Sequence, residues 1–263
     1  LRWILNILIT NDDGIDAPGL WTTVNNLKNL ANIIVVAPDR DQSGTGTAMT
    51  LRNVVRLHQK PHSNPKIKVY SVEGTPSDCV ILACEKLMDS PPDLIVSGIN
   101  LGANLGLDVL LSGTVGAAIH GYLRNIPSIA ISAVYKEEVI YNTAGEVIEE
   151  LVKNLFNQKV TKPFLLNVNV PCIPKKDIKS VKLTSLGNTN YVQNVEEEKS
   201  GLRTHYWIKP DRKNTSKLDP ESDILAIEED NISITAINPS FNNAIDNSNF
   251  SNLINSFNKK IFN

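Results

Sequence analysis

The run Ile4-Leu5-Asn6-Ile7-Leu8-Ile9-Thr10 breaks straight into Asn11-Asp12-Asp13-Gly14. A short apolar run that ends abruptly in polar residues reads as a strand of a parallel sheet, covered by helices on both faces. The period then changes. Leu20, Val24, Leu27 and Leu30 share one face of a helix over residues 17–30, and Asp16 stands at its expected N-cap. A second buried strand, residues 33–37, is stopped by Pro38. Strands interleaved with helices in this way imply a parallel, doubly wound sheet with right-handed crossovers.

The same alternation continues outward from this unit. A Gly/Ser/Thr loop fills residues 39–50, and residues 54–57 and 66–72 alternate like edge strands or a hairpin. Helices are expected at 77–88, 115–123 and 141–156, and strands at 94–98, 129–133 and 165–170. After Pro174 the character shifts. Strands are expected at 181–186 and 232–237, but residues 187–221 between them are polar, Pro-punctuated and without helical period. Within that stretch, residues 204–208 have the composition of a strand. So long a segment is unusual as a bare loop, so it reads as a protruding arm that packs on something else. The Asn-rich tail places Phe250, Leu253, Ile254, Phe257 and Ile261 at helical spacings, as a short docking helix would. The expected division is a main α/β domain, residues 1–174, and a C-terminal extension, residues 175–263, of arm, returning strand and terminal helix.

Bulk properties narrow the class. A chain of 263 residues makes a core without staples. An apolar share of 41% and a charged share of 21% are ordinary for an α/β protein. A net charge of -2 argues against binding nucleic-acid polymers, which takes a basic surface. A small anion remains admissible, because backbone dipoles and a metal act locally. Cys79, Cys84 and Cys172 are odd in number and lie in apolar segments, as buried reduced thiols do, and the four histidines are scattered without zinc-ligand spacing. No run approaches a membrane span, and residues 1–10 lead into acids rather than a cleavage site. The expected compartment is the cytoplasm, with no membrane partner.

In open α/β sheets, ligands bind beyond the carboxyl ends of the strands. Three such places carry polar residues that packing alone does not select. Asp12 and Asp13 are adjacent carboxylates, which repel unless a cation sits beside them; the alternative is a solvated turn. In Asp39-Arg40-Asp41-Gln42-Ser43-Gly44-Thr45-Gly46, Ser43 offers a hydroxyl to a cation and the glycines leave N–H groups open to an anion; the alternative is a flexible surface loop. Asn100 follows a strand, where its amide oxygen can join a metal shell and its nitrogen can donate to phosphate. Ser112-Gly113-Thr114 opens a helix of small residues, a seat for phosphate at the positive helix end that is also compatible with plain capping. Together these are the parts for metal-assisted phosphoryl hydrolysis. No Walker lysine follows, and the first strand–helix turn lacks Gly-x-Gly-x-x-Gly, which disfavours a P-loop NTPase and a dinucleotide oxidoreductase.

Asn11-Asp12-Asp13-Gly14, Ala37-Pro38-Asp39 with Gln42-Ser43-Gly44, Gly74-Thr75-Pro76-Ser77-Asp78-Cys79, Ser97 to Asn104 and Ser112 to Ala118 together resemble the SurE family of survival-protein nucleotidases. The resemblance implies an α/β, doubly wound, mainly parallel, Rossmann-like three-layer fold whose smaller C-terminal hairpin and helix serve oligomerisation. It implies hydrolysis of nucleoside 5′- and 3′-monophosphates, extending in some members to short polyphosphate. It implies one divalent cation per subunit, Mg²⁺ or Mn²⁺, held by Asp12, Asp13, Ser43 and Asn100. It places Asn104, Ser112, Gly113 and Thr114 near the phosphate, and a homodimer or homotetramer with exchanged C-terminal elements. The chain departs from the family at Leu111, where Tyr is frequent; an aliphatic side chain offers no ring for base stacking.

The expected mechanism is in-line attack by water on phosphorus, with Asp12, Asp13 and Asn100 catalytic and either aspartate the proton acceptor. A covalent aspartyl-phosphate through Asp12 is the alternative chemistry. A nucleotide-binding regulatory module without turnover is the alternative function.

Overall fold

The computed structural model describes residues 5–135, 139–158, 160, 162–188, 192–200, 203–211 and 219–240. The two apolar runs form β1 (Leu5–Thr10) and β2 (Ala31–Pro38), which pair in parallel with Ile7 beside Ile33 and Ile9 beside Val35. The helix between them, α1 (Pro18–Leu27), begins one residue later than its periodicity indicates. Ala17, not Asp16, occupies the N-cap, and no side chain caps it. Pro18 at the first helical position has no N–H to satisfy, so the start is stable without Asp16, which stays exposed.

The edge strand β3 (Arg56–Lys60) pairs antiparallel with β4 (Lys68–Glu73), and β4 in turn runs parallel to β2. The expected helix at 77–88 divides into α2 (Pro76–Leu82) and a π-turn, Ala83–Leu87. β5 (Leu94–Leu101) runs beyond its expected end at Gly98. It holds one extra residue against β6 (Ser128–Ala133), with Ser97 opposite Ala130 but Asn100 opposite Ser132. Such a bulge reverses the facing of the residues beyond it and re-aims Asn100. Gly98 permits it: its φ is +123°, and a Cβ there would stand 2.2 Å from the Ile131 carbonyl oxygen. The remaining elements of this half are α3 (Gly113–Tyr122), α4 (Tyr141–Asn157) and β7 (Leu165–Val170).

After β7 the chain adds β8 (Val181–Thr184), β9 (Val192–Ser200), β10 (Arg203–Asp211), α5 (Asp223–Glu228) and β11 (Ile232–Ala236). β11 inserts between β7 and β8, antiparallel to the first and parallel to the second. One nine-stranded sheet results, ordered β3-β4-β2-β1-β5-β6-β7-β11-β8. β9 and β10 form a separate two-stranded sheet, the hairpin of the expected arm, of which the sequence marks only residues 204–208. α5, capped by Ser222, is a single short helix that the sequence pattern does not announce. The expected helix over 250–261 lies outside the described residues.

Alternate residues of one strand feed opposite cores, which makes three layers. Ile7 and Ile9 pack with Leu20 and Val24 of α1 and Ile148 and Val152 of α4. Leu8, between them, packs with Val80 of α2 and Ala117 of α3. β1 is the switch point: β2 lies on one side and β5 on the other, so the loops leaving these strands diverge and open a crevice above β1.

Candidate active site

The turn after β1 stands in that crevice and is held from three sides. The Gln42 N–H donates to the Asp12 carbonyl oxygen at 2.8 Å, fastening the loop after β2. The Leu101 N–H donates to Asp13 Oδ2 at 3.1 Å, fastening the end of β5. The Thr114 hydroxyl donates to Asp12 Oδ1, fastening the start of α3. Gly113 allows this last approach, since a Cβ on it would lie 2.8 Å from Asp12 Cβ. Gly14 turns the chain at φ +102°, and Asn11 Nδ2 closes the turn on the Gly14 carbonyl at 2.9 Å.

Both carboxylates are perturbed upward. Burial is the main cause for Asp12, which is 3% exposed, and the Thr114 hydroxyl opposes it. Asp13 is pushed up to about 7, first by burial and then by the charge of Asp12. A cation beside the pair relieves both repulsion and desolvation.

The sequence-derived residues converge, with differences in role. Asn100 is buried and donates Nδ2 to the Gly102 carbonyl at 2.8 Å. Its amide oxygen is therefore the free end, while its nitrogen is already engaged. The Ser43 hydroxyl donates to Asp41 Oδ1 at 2.6 Å, and the Asp41 charge raises both Asp12 and Asp13. Asp41 thus belongs to the electrostatics of the site; it stands in the quoted loop, but nothing in its spacing distinguishes it from a solvated acid. Ser112 is the N-cap of α3, accepting from the Val115 N–H at 3.1 Å, whereas Thr114 serves Asp12.

Asn104 is firmly anchored in this arrangement. Its Nδ2 donates to Ser132 Oγ at 2.9 Å, and its carbonyl accepts from Asn167 and Asn169. Gly74-Thr75-Pro76-Ser77-Asp78-Cys79 is structural: Thr75 and Asp78 form a capping box on α2. Asp78 also accepts from the Thr50 N–H at 2.8 Å and the Thr50 hydroxyl at 2.6 Å, tying down the far end of the loop after β2.

The donor chemistry suits a hard cation. Two carboxylates, an amide oxygen and a hydroxyl are all oxygen ligands, and the Asn11 side-chain oxygen is buried without a hydrogen-bond partner. Among the described residues no group of three or more His, Cys, Asp or Glu is placed to hold a metal. The set at the switch point mixes charged with neutral oxygens and is of a different kind. Beside it lies the start of α3, whose first turn of Gly113, Thr114, Val115 and Gly116 is buried and small.

Fold and site together define a doubly wound α/β protein with an acidic, oxygen-rich crevice at its switch point, facing a helix start suited to an anion. The family described as Survival protein SurE matches residues 7–193. A 5′-nucleotidase SurE of Dehalococcoides mccartyi is 46% identical over 236 residues, covering 89% of this chain and 88% of that protein. One from Pelotomaculum thermopropionicum is 40% identical over 235 residues, covering 89% of each. The crystal structure of the SurE protein from Aquifex aeolicus superposes with a TM-score of 0.76 at 31% identity, covering 97% of this chain and 98% of that one. The chain belongs to the SurE family.

Proposed function

We propose that this protein is a metal-dependent phosphomonoesterase that hydrolyses nucleoside 5′- and 3′-monophosphates and accepts short polyphosphate as a further substrate. The observation that carries the reading is the pair Asp12–Asp13, forced into one buried turn and faced by the start of α3. Its relatives' name, 5′-nucleotidase SurE, supports the substrate class.

Asp12, Asp13, Ser43 and Asn100 are the residues that would hold one Mg²⁺ or Mn²⁺. Such a cation supplies a nucleophilic water at neutral pH and neutralises charge on the phosphoryl oxygens. The N–H groups opening α3, at Gly113 and Thr114, orient the phosphoryl group for in-line attack. Ser112, anchored at the helix start, and Asn104, anchored in the loop before it, join them as the phosphate-side residues. Asp12 and Asp13 are the acids positioned to take the proton of the attacking water. The hydroxyl of Thr114 keeps the Asp12 carboxylate oriented throughout. Residues 1–174 carry this chemistry, and residues 175–263 supply the arm through which subunits assemble in the cytoplasm as a dimer or tetramer.

Phosphate release from a panel of 3′- and 5′-monophosphates and short polyphosphates, with Mg²⁺ and Mn²⁺ each supplied, tests the reading. Turnover that requires added metal is expected. Full activity after chelation, or no release from any nucleotide, overturns it.

A further inference from the structure

Along the carboxyl edge of the sheet, the strand after β5 is β6. The two stay paired to Leu101 and Ala133, and the Gly102 N–H donates to the Ala133 carbonyl at 2.9 Å. Just beyond, a pocket of about 410 Å³ opens, lined by Leu101, Gly102, Ala103, Val134 and Tyr135. It adjoins the site directly, because Leu101 is the residue whose N–H holds the Asp13 carboxylate.

Among the described residues the lining carries no charged side chain and combines backbone polar groups with apolar side chains, which suits a neutral, flat group better than a second phosphate. Two of its members are exposed and apolar: Leu101 is 50% and Tyr135 60% solvent-accessible. An exposed Tyr ring at a pocket wall offers a stacking face that packing does not use. Gly102 leaves the floor open, since a Cβ there would meet nothing within 4 Å. Tyr141, a ring that feels the Asp13 charge, packs partly buried against the core of the α1 and α4 layer and offers no such face. β6 lies two strand spacings from β1, on the order of 10 Å, a span that a ribose bridges.

We propose that this pocket takes the nucleobase of the substrate, with Tyr135 as its stacking platform and Leu101 as the opposing apolar contact. The proposal rests on the nucleotidase reading above. It makes Tyr135 a specificity residue: it binds the part of the substrate that does not react, while the phosphoryl group is handled at Asp12, Asp13 and α3. The stack tolerates every base, since each has a π-face, and a base-free ester forgoes it.

Two measurements on the whole protein test this, using wild type, Tyr135→Ala and Tyr135→Phe. The first is the ratio of kcat/KM for adenosine 5′-monophosphate to that for ribose 5-phosphate. The ratio is expected to fall about tenfold in Tyr135→Ala, chiefly through KM for the nucleotide, and to return in Tyr135→Phe. The second is calorimetric binding of adenosine, which needs no turnover, and it should weaken about tenfold in Tyr135→Ala alone. Adenosine binding equal in all three proteins overturns the proposal, whether or not the enzyme is active. An equal loss toward both esters, with adenosine binding retained, also overturns it. Failure of the nucleotidase reading is seen separately, as wild type that hydrolyses neither ester.

Discussion

Asp13 carries a charge that its surroundings in the fold disfavour. Its carboxyl titrates at about 7 in the fold against an ordinary 3.8, because burial and Asp12 both disfavour the ionised form. Between about pH 4 and 7 the folded chain therefore keeps a proton that the unfolded chain has released. Stability of the metal-free protein should fall as pH rises through that window, with Asp13 alone contributing at most about 4 kcal/mol. Asp12, raised in the same direction, adds to the slope. A bound cation takes the proton's place, so Mg²⁺ should stabilise most at and above pH 7 and little at pH 4. Asp13→Asn keeps an oxygen for the Leu101 N–H and removes the titration. Its metal-free form should lose less stability over the window than wild type, the Asp12 contribution remaining, while phosphatase activity falls about a hundredfold or more. Thermal melts from pH 4 to 8, with and without Mg²⁺, decide this. A wild type whose metal-free stability rises toward pH 7 would contradict the assignment.

At the scale of elements, α3 is placed by what its glycines lack. A Cβ on Gly116 would stand 2.0 Å from the Gly46 carbonyl oxygen, so the helix lies directly on the loop after β2. The Gly46 N–H returns the contact, donating to the Leu111 carbonyl at 2.9 Å. Two effects compete in Gly116→Ala. Higher helix propensity favours Ala by about 1 kcal/mol. Overpacking against backbone that cannot rotate away costs about 1–3 kcal/mol. The clash prevails at 2.0 Å, so the melting temperature should fall. The loop that fastens Asp12 through Gln42 should shift as well, lowering kcat/KM beyond the loss of folded protein. A variant as stable and active as wild type would show that the helix and loop separate freely. This packing explains why the sequence reading succeeded in part. Buried apolar runs declared β1, β2 and β7, and polar residues at the ends of β1, β2 and β5 marked the candidate site, because both signals are local. The N-cap at Ala17 is also local, set by Pro18, but the bulge in β5 and the anchoring of Asn104 depend on what lies across the sheet. So does Asp223, which accepts from the Gly106 and Gly187 N–H groups at 2.8 Å each, joining α5 to the loop before α3 and to the base of the arm. Partners more than a hundred residues apart, as Asp223 and Gly106 are, leave no trace in spacing.

The whole molecule ends in a contrast between a sheet whose central strands are buried on both faces and an arm that buries little of its own. In the hairpin, register places Val195 opposite Ile208, and Tyr206 shares their face by alternation. These three side chains are 62%, 72% and 63% exposed, and Trp207 on the opposite face reaches Glu198 through its indole N–H at 2.9 Å. An isolated two-stranded hairpin is marginal in water, so the arm needs an external surface to hold its form. The surface proposed for it is a neighbouring subunit, in an assembly of closed symmetry. Ile208→Lys places a charge in the middle of the apolar face without touching the crevice above β1. Burying that charge unpaired would cost several kcal/mol per contact, and closed symmetry repeats the cost at each equivalent interface. Light scattering should then find wild type as a dimer or tetramer at micromolar concentration and the variant as smaller species. If the arm only assembles subunits, the variant keeps Mg²⁺-dependent turnover per chain; if it also completes the site, turnover falls in step with dissociation, and dilution of wild type reproduces the loss. A wild type that is monomeric at micromolar concentration removes the assembly role altogether, and the exposed face of the hairpin would then need another partner.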